Sequence, residues 1–203
     1  MKTNHIFKHC FMFTVFLLAL SVRGQGTFIY DQQSVTSDST GGVVANIQDL
    51  SPGQSFTPTL DAVGFIRLCI GGGLGGSGAT FYVNLMSDSI NGPVLGSTEP
   101  VTLSPLLAAS NFYFSSPVPV TPGQTYYFQI VEQSDYNAWR CLADPDYRYP
   151  GGTAFFNGVA NAGWDLWFRE GIVVPEPSSA LLLLAGVGAL AVFRRVKTKA
   201  NPQ

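Results

Sequence analysis

Between Thr27 and Arg169 apolar residues fall in short runs with a period of two, separated by clusters of Gly, Pro, Asn, Asp and Ser. That alternation is the signature of half-buried strands, and a helical spacing of three and four is missing. The pattern predicts strands at 27–31, 43–47, 63–70, 80–86, 112–115, 125–132, 153–157 and 165–169. In the run Thr125 to Val131, Tyr126, Phe128 and Ile130 share one face, while Tyr127, Gln129 and Val131 share the other, as a central strand requires. The preceding Thr121-Pro122-Gly123-Gln124 is a well-specified tight turn, with proline pre-setting φ and glycine accepting positive φ. Gly71 to Gly78 holds six glycines in eight residues and is expected to be a loop. It lacks the Gly-Lys-Ser/Thr ending and following helix of a phosphate cradle. The expected fold is all-β, a jelly-roll-like β-sandwich over residues 25–173.

The two ends break this pattern. Lys2 and Lys8 precede the apolar run Cys10 to Val22, about 13 residues long, which suits a secretory signal peptide and is short for a membrane span. Val22 and Gly24 place the expected cut between Gly24 and Gln25, making 1–24 the signal peptide; a cut after Ser21 is the alternative. At the other end, Pro175-Glu176-Pro177 is followed by the apolar run Ala180 to Phe193 and a basic tail, 194–199, opened by Arg194 and Arg195. The prolines stop helix or strand from running through. The 14-residue run, weakened by Gly186 and Gly188, reads as a short transmembrane helix over 180–193, and the basic tail holds its own side cytoplasmic.

A plain anchor would share the run and the tail, but the Pro-Glu-Pro segment before them separates the two readings. Residues 174–199 resemble the PEP-CTERM sorting signal of Gram-negative bacteria. The resemblance implies recognition and processing by an exosortase, a membrane cysteine protease, with Pro175, Glu176 and Pro177 as substrate positions. Tyr30-Asp31-Gln32-Gln33, Gln54-Ser55-Phe56-Thr57-Pro58, Thr121-Pro122-Gly123, Tyr149-Pro150-Gly151-Gly152 and Asp165-Leu166-Trp167-Phe168-Arg169 also resemble, in that order, a recurrent domain of PEP-CTERM exoproteins of Verrucomicrobia and Planctomycetes. That resemblance implies a jelly-roll sandwich and no particular activity.

Charge then narrows the function. From residue 25 to 175 there are 12 acidic residues against 4 arginines and no lysine, a net of −8. A basic nucleic-acid footprint is therefore absent, and the acidity suits a solvated extracellular surface. The histidines, His5 and His9, both precede the expected cut. Ser-His-Asp triads, Cys-His pairs, histidine-bound zinc and lysine Schiff bases consequently fall away for the mature protein.

What remains is carboxylates and aromatics. Glu132, Asp135, Asp144, Asp146 and Asp165 are candidates for a glycosidase working with two carboxylates alone, although loop acids of this kind ordinarily serve turns. Asp144 and Asp146 also offer oxygens to a structural calcium; no other cofactor is expected. Trp139, Tyr147, Tyr149 and Trp164 gather beside Asn137, Arg140, Arg148 and Asn161, a composition suited to sugar rings, while Trp167 reads as core. Cys69 and Cys141 would be the mature chain's cysteines, either bridged or separately buried. A bridge closing about 70 residues would contribute roughly 4 kcal/mol.

The expectation is an exported, non-enzymatic protein, inner-membrane-tethered before processing and then at the cell surface or in the extracellular matrix. Its processing partners would be signal peptidase and exosortase. A carbohydrate-binding module for exopolysaccharide is the first alternative, and the glycosidase the second.

Overall fold

The computed structural model describes residues 26–72, 78–134, 138–175 and 186–188. The expected signal peptide, the centre of the glycine-rich loop, Asp135, Asn137, Glu176, Pro177, Arg194 and Arg195 lie outside these residues. So does the expected 180–193 helix apart from Gly186 to Gly188, which are helical. Among the described residues no helix is long and apolar enough to cross a membrane.

One compact unit spans Phe28–Val173. Its chain runs β1 (Thr27–Gln33), β2 (Val43–Asn46), the one-turn helix α1 (Ile47–Leu50), β3 (Gly53–Phe56), β4 (Ala62–Gly71), β5 (Ala79–Met86) and β6 (Val94–Ser97). It continues through β7 (Val101–Leu103), β8 (Ala108–Pro119), β9 (Tyr126–Ser134), β10 (Arg140–Asp144), β11 (Ala154–Phe156), β12 (Val159–Asn161), β13 (Asp165–Leu166) and β14 (Phe168–Val174).

These strands form two antiparallel sheets packed as a sandwich, as the period-two pattern predicts. The first sheet runs β1-β14-β4-β10-β13, with β2 added beside β10 and β8 beside β4. The second runs β12-β11-β3-β9-β5-β6, with β7 beside β5. The core lies between them: Ile66, Leu68 and Ile70 from β4 meet Phe81, Val83 and Leu85 from β5 and Tyr126, Phe128 and Ile130 from β9. β9 is the central strand its sequence implies, flanked by β3 and β5. The turn leading into it has Gly123 at φ 80°, with Gln124 N–H donating to the Thr121 carbonyl at 3.1 Å.

A smaller cluster of Cys69, Leu142 and Trp167 occupies the opposite face of the first sheet, and half-buried Val35 packs against it. The segment following β1 covers this face: Trp167 Nε1 donates to the Ser39 carbonyl at 3.0 Å, and Arg169 Nε to that of Val35 at 3.0 Å. The same register explains the cysteines. Cys141 pairs with Ile70 across β10 and β4 and so shares the core face, whereas Cys69, one residue earlier, points the other way. The Cys69–Cys141 bridge entertained from sequence is accordingly not formed; both are buried free thiols. Burial pushes the Cys69 thiol up to about 11 and that of Cys141 to about 12.

Arg67 and Arg169 are direct register partners on β4 and β14, a like-charge pairing that ordinarily costs stability. Asp38 resolves it by lying 2.8 Å from Arg67 and 3.3 Å from Arg169, while Arg169 also rests 5.2 Å from the centres of the Tyr30 and Trp167 rings. Asp38→Asn removes the shared counter-charge. Because Asp38 is more than half exposed, the expected loss is about 1–2 kcal/mol, read as a lower thermal midpoint that recovers partly in high salt.

Candidate functional site

The turns after β10 and between β12 and β13 meet at one end of the sandwich and enclose an open groove of about 570 Å³. Its lining is Pro145, Arg148, Tyr149, Pro150, Gly152, Gly163, Trp164 and Asp165. Two of the four aromatics singled out from sequence are therefore brought together here, and two are not. Trp139 is fully buried, its ring centre 5.0 Å from that of Phe81 in an edge-on contact; it is core and presents no face to a ligand. It is drawn inside because it leads directly into β10, a strand covered on both faces. Tyr147 packs against the Cys69, Leu142 and Trp167 cluster and donates its hydroxyl to the Gly41 carbonyl. Burial, with Asp144 nearby, raises that phenol to about 12.

Within the groove Trp164 is half-buried, packed edge-on against Phe156 at 6.5 Å. Its carbonyl accepts from Ala154 N at 2.8 Å and from Thr153 Oγ1 at 3.3 Å, so the turn carrying it is tied to β11. Tyr149, although it lines the groove, is buried with its ring edge-on to Phe168 at 5.1 Å. Arg148 is exposed, its backbone N–H donating to the Asp146 carbonyl at 3.0 Å, and its guanidinium makes no ion pair among the described residues.

The candidate carboxylates have structural partners. Asp165 is buried, accepting from Gln54 Nε2 at 2.8 Å and from Tyr149 N at 2.9 Å. Burial raises its carboxyl above the usual range, against the pull of those two bonds. Asp144 accepts from Asp146 N at 2.8 Å and Val43 N at 3.2 Å, so both oxygens serve backbone amides, and Asp146 is exposed. Among the described residues no group of three or more His, Cys, Asp or Glu converges to complete a calcium cage with them. Glu132 lies in β9.

Beside the groove sits a polar network that no single stretch of sequence reveals. Tyr149 Oη accepts from Thr57 N and donates to Gln32 Oε1, both at 3.0 Å. Gln32 N donates to Glu170 Oε1 at 3.1 Å, and Thr57 Oγ1 to the Gly151 carbonyl at 3.0 Å. Asp31 accepts from Thr59 N at 2.7 Å, Leu60 N at 3.0 Å and the Thr59 hydroxyl. Gly123 N donates to the Pro58 carbonyl at 2.8 Å. Gln54 Oε1 accepts from Leu166 N at 2.9 Å.

The five segments whose order resembled a recurrent exoprotein domain thus belong to connected hydrogen-bonded ties between the sheets. Their polar residues hold strand ends and turns in place. Burial raises the Asp31 carboxyl, yet the bonds from Thr59, Leu60 and Gln32 outweigh it and leave the group below the usual range. Glu170 behaves oppositely: full burial, with the neighbouring Asp31 charge, raises it to about 9. The sequence offered one local signal for this network, Gln and Ser inside an otherwise buried β segment at 54–55.

Residues 173–197 match the PEP-CTERM protein-sorting motif. This motif implies export sorted by an exosortase through a membrane-anchored signal. The match covers the end of the chain alone and supports no placement in Verrucomicrobia or Planctomycetes. No curated protein matches the chain.

Proposed function

We propose that this chain is an exported, non-enzymatic structural protein of the cell surface or extracellular matrix. It is tethered to the inner membrane until an exosortase processes it at the Pro175-Glu176-Pro177 segment. The observation that carries this reading is the sorting motif at 173–197, which begins within β14. Two further facts support the non-enzymatic part. No histidine or lysine occurs between Gln25 and Phe193, and Asp144 and Asp165 serve backbone and side-chain donors.

Intact-mass measurement of the protein recovered from the native envelope tests the reading. The expected mature chain starts after Gly24 and has lost the segment that follows the motif; replacing Pro175, Glu176 and Pro177 together by alanine leaves the uncut precursor at the membrane. A native chain still ending at Gln203 would refute processing.

A second reading, a carbohydrate-binding module for exopolysaccharide, is favoured by the groove. Its half-buried Trp164, beside a guanidinium with no ion pair among the described residues, is a surface suited to a sugar ring.

A further inference from the structure

We infer that the groove at the β10–β13 end takes an acidic sugar unit, its carboxylate held by Arg148 and its ring face by Trp164. The inference rests on the carbohydrate-binding reading and names the class of saccharide.

Arg67 and Arg169 are committed to Asp38, and Arg169 is nearly buried. Arg148 is different: it is exposed, lines a concave surface and has no carboxylate partner among the described residues. A guanidinium presents a rigid fork of donors that matches the two oxygens of a carboxylate. It is also well supported, because Pro145 and Pro150 lie on either side of it in the chain and its backbone closes onto Asp146.

The carboxylate lining the groove, Asp165, forms no ion pair with it. Its oxygens already accept from Gln54 and Tyr149. Trp164 also lines the groove, its ring held edge-on by Phe156. Gly152 lets the groove wall close onto the Ser55 backbone, and Gly163 leaves the space beside it open. At Gly163, with φ 84°, an added Cβ would meet no atom within 4 Å, so the room there is solvent-accessible.

The overall charge sharpens the prediction. At −8 the segment from residue 25 to 175 repels polyanions in general, so attraction to an acidic saccharide must come from a local site. Loss of the one guanidinium then removes the preference for charge and does not merely weaken it. Arg140, exposed at the start of β10 and absent from the groove lining, provides the control.

The test titrates the full chain, in mild detergent, with a galacturonate oligosaccharide and with its neutral methyl ester, by calorimetry. The acid form is expected to bind at least tenfold more tightly than the ester. Arg148→Gln should equalise the two, Arg140→Gln should leave the preference intact, and Trp164→Ala should weaken both forms. Unchanged near-ultraviolet circular dichroism of Arg148→Gln would confirm that the fold is retained. Equal binding of acid and ester by the unaltered chain, or a preference that survives Arg148→Gln, overturns the acidic assignment and leaves the saccharide reading standing. Binding of neither form overturns both.

Discussion

Replacing Gln54 by leucine should cost about 3–5 kcal/mol, enough to remove much of the stability of a domain this size. The volume is nearly conserved, so packing changes little. What is lost is a side chain that joins the sheets through both of its ends: Nε2 donates to Asp165 and Oε1 accepts from Leu166 N–H. Both partners are buried, and leucine leaves a carboxylate oxygen and a backbone amide short of a bond. Each such orphan costs roughly 1–3 kcal/mol. Urea denaturation measures the loss as a lower midpoint at unchanged slope. Gln54→Glu is a sharper companion, because it brings a second carboxylate against Asp165; its deficit should shrink as the pH falls toward 4. A Gln54→Leu midpoint within error of the parent would mean that the tie between the sheets contributes nothing.

The second large effect concerns Glu170. Its folded-state value is raised from 4.5 to about 9, so the native protein holds a proton that the unfolded chain releases above pH 4.5. Between those limits the unfolded state binds fewer protons, and stability falls as the pH rises, by up to about 1.4 kcal/mol per pH unit for one proton. Below 4.5 this contribution is flat, and above about 9 the loss is complete. Asp31 works in the other direction: its lowered value stabilises the fold above the ordinary carboxylate range and loses that benefit in acid. Glu170→Gln keeps an acceptor for Gln32 N–H and removes the ionisable proton. The variant should therefore melt higher than the parent at pH 8 and converge with it near pH 4. Parallel melting curves across that range would rule out burial of a proton on Glu170.

How far such features were legible beforehand depends on whether their physical cause is local. β4, β5 and β9 show period-two alternation, and the Thr121–Gln124 turn carries its own dihedral preferences, so all were readable. β3 was missed because its burial pattern includes Gln54 and Ser55, polar residues tolerated inside only through partners at Asp165 and Thr153. β6, β7 and β12 are only three or four residues long, too short to show a period, and β10 is paired by the distant β2 and β4.

Aromatic composition located the groove's neighbourhood but could not distinguish Trp139 from Trp164. One is swallowed by a strand with both faces covered; the other sits in a turn with one side open. Asp31 and Glu170 are 139 residues apart, and no spacing rule connects them. The resemblance named most of the segments that meet there, without the reason for their meeting.

The placement of the first and last strands sets an order on folding. β14 lies between β1 and β4, so β1 has no partner in its sheet until the final strand arrives, and the backbone of Gln32 waits for Glu170. A chain that crosses a membrane from its N-terminus delivers β1 first and β14 last, immediately ahead of the sorting segment. Closure of the first sheet then coincides with the end of translocation. Until that last strand emerges, the β1 edge has its backbone donors and acceptors unpaired by its own sheet.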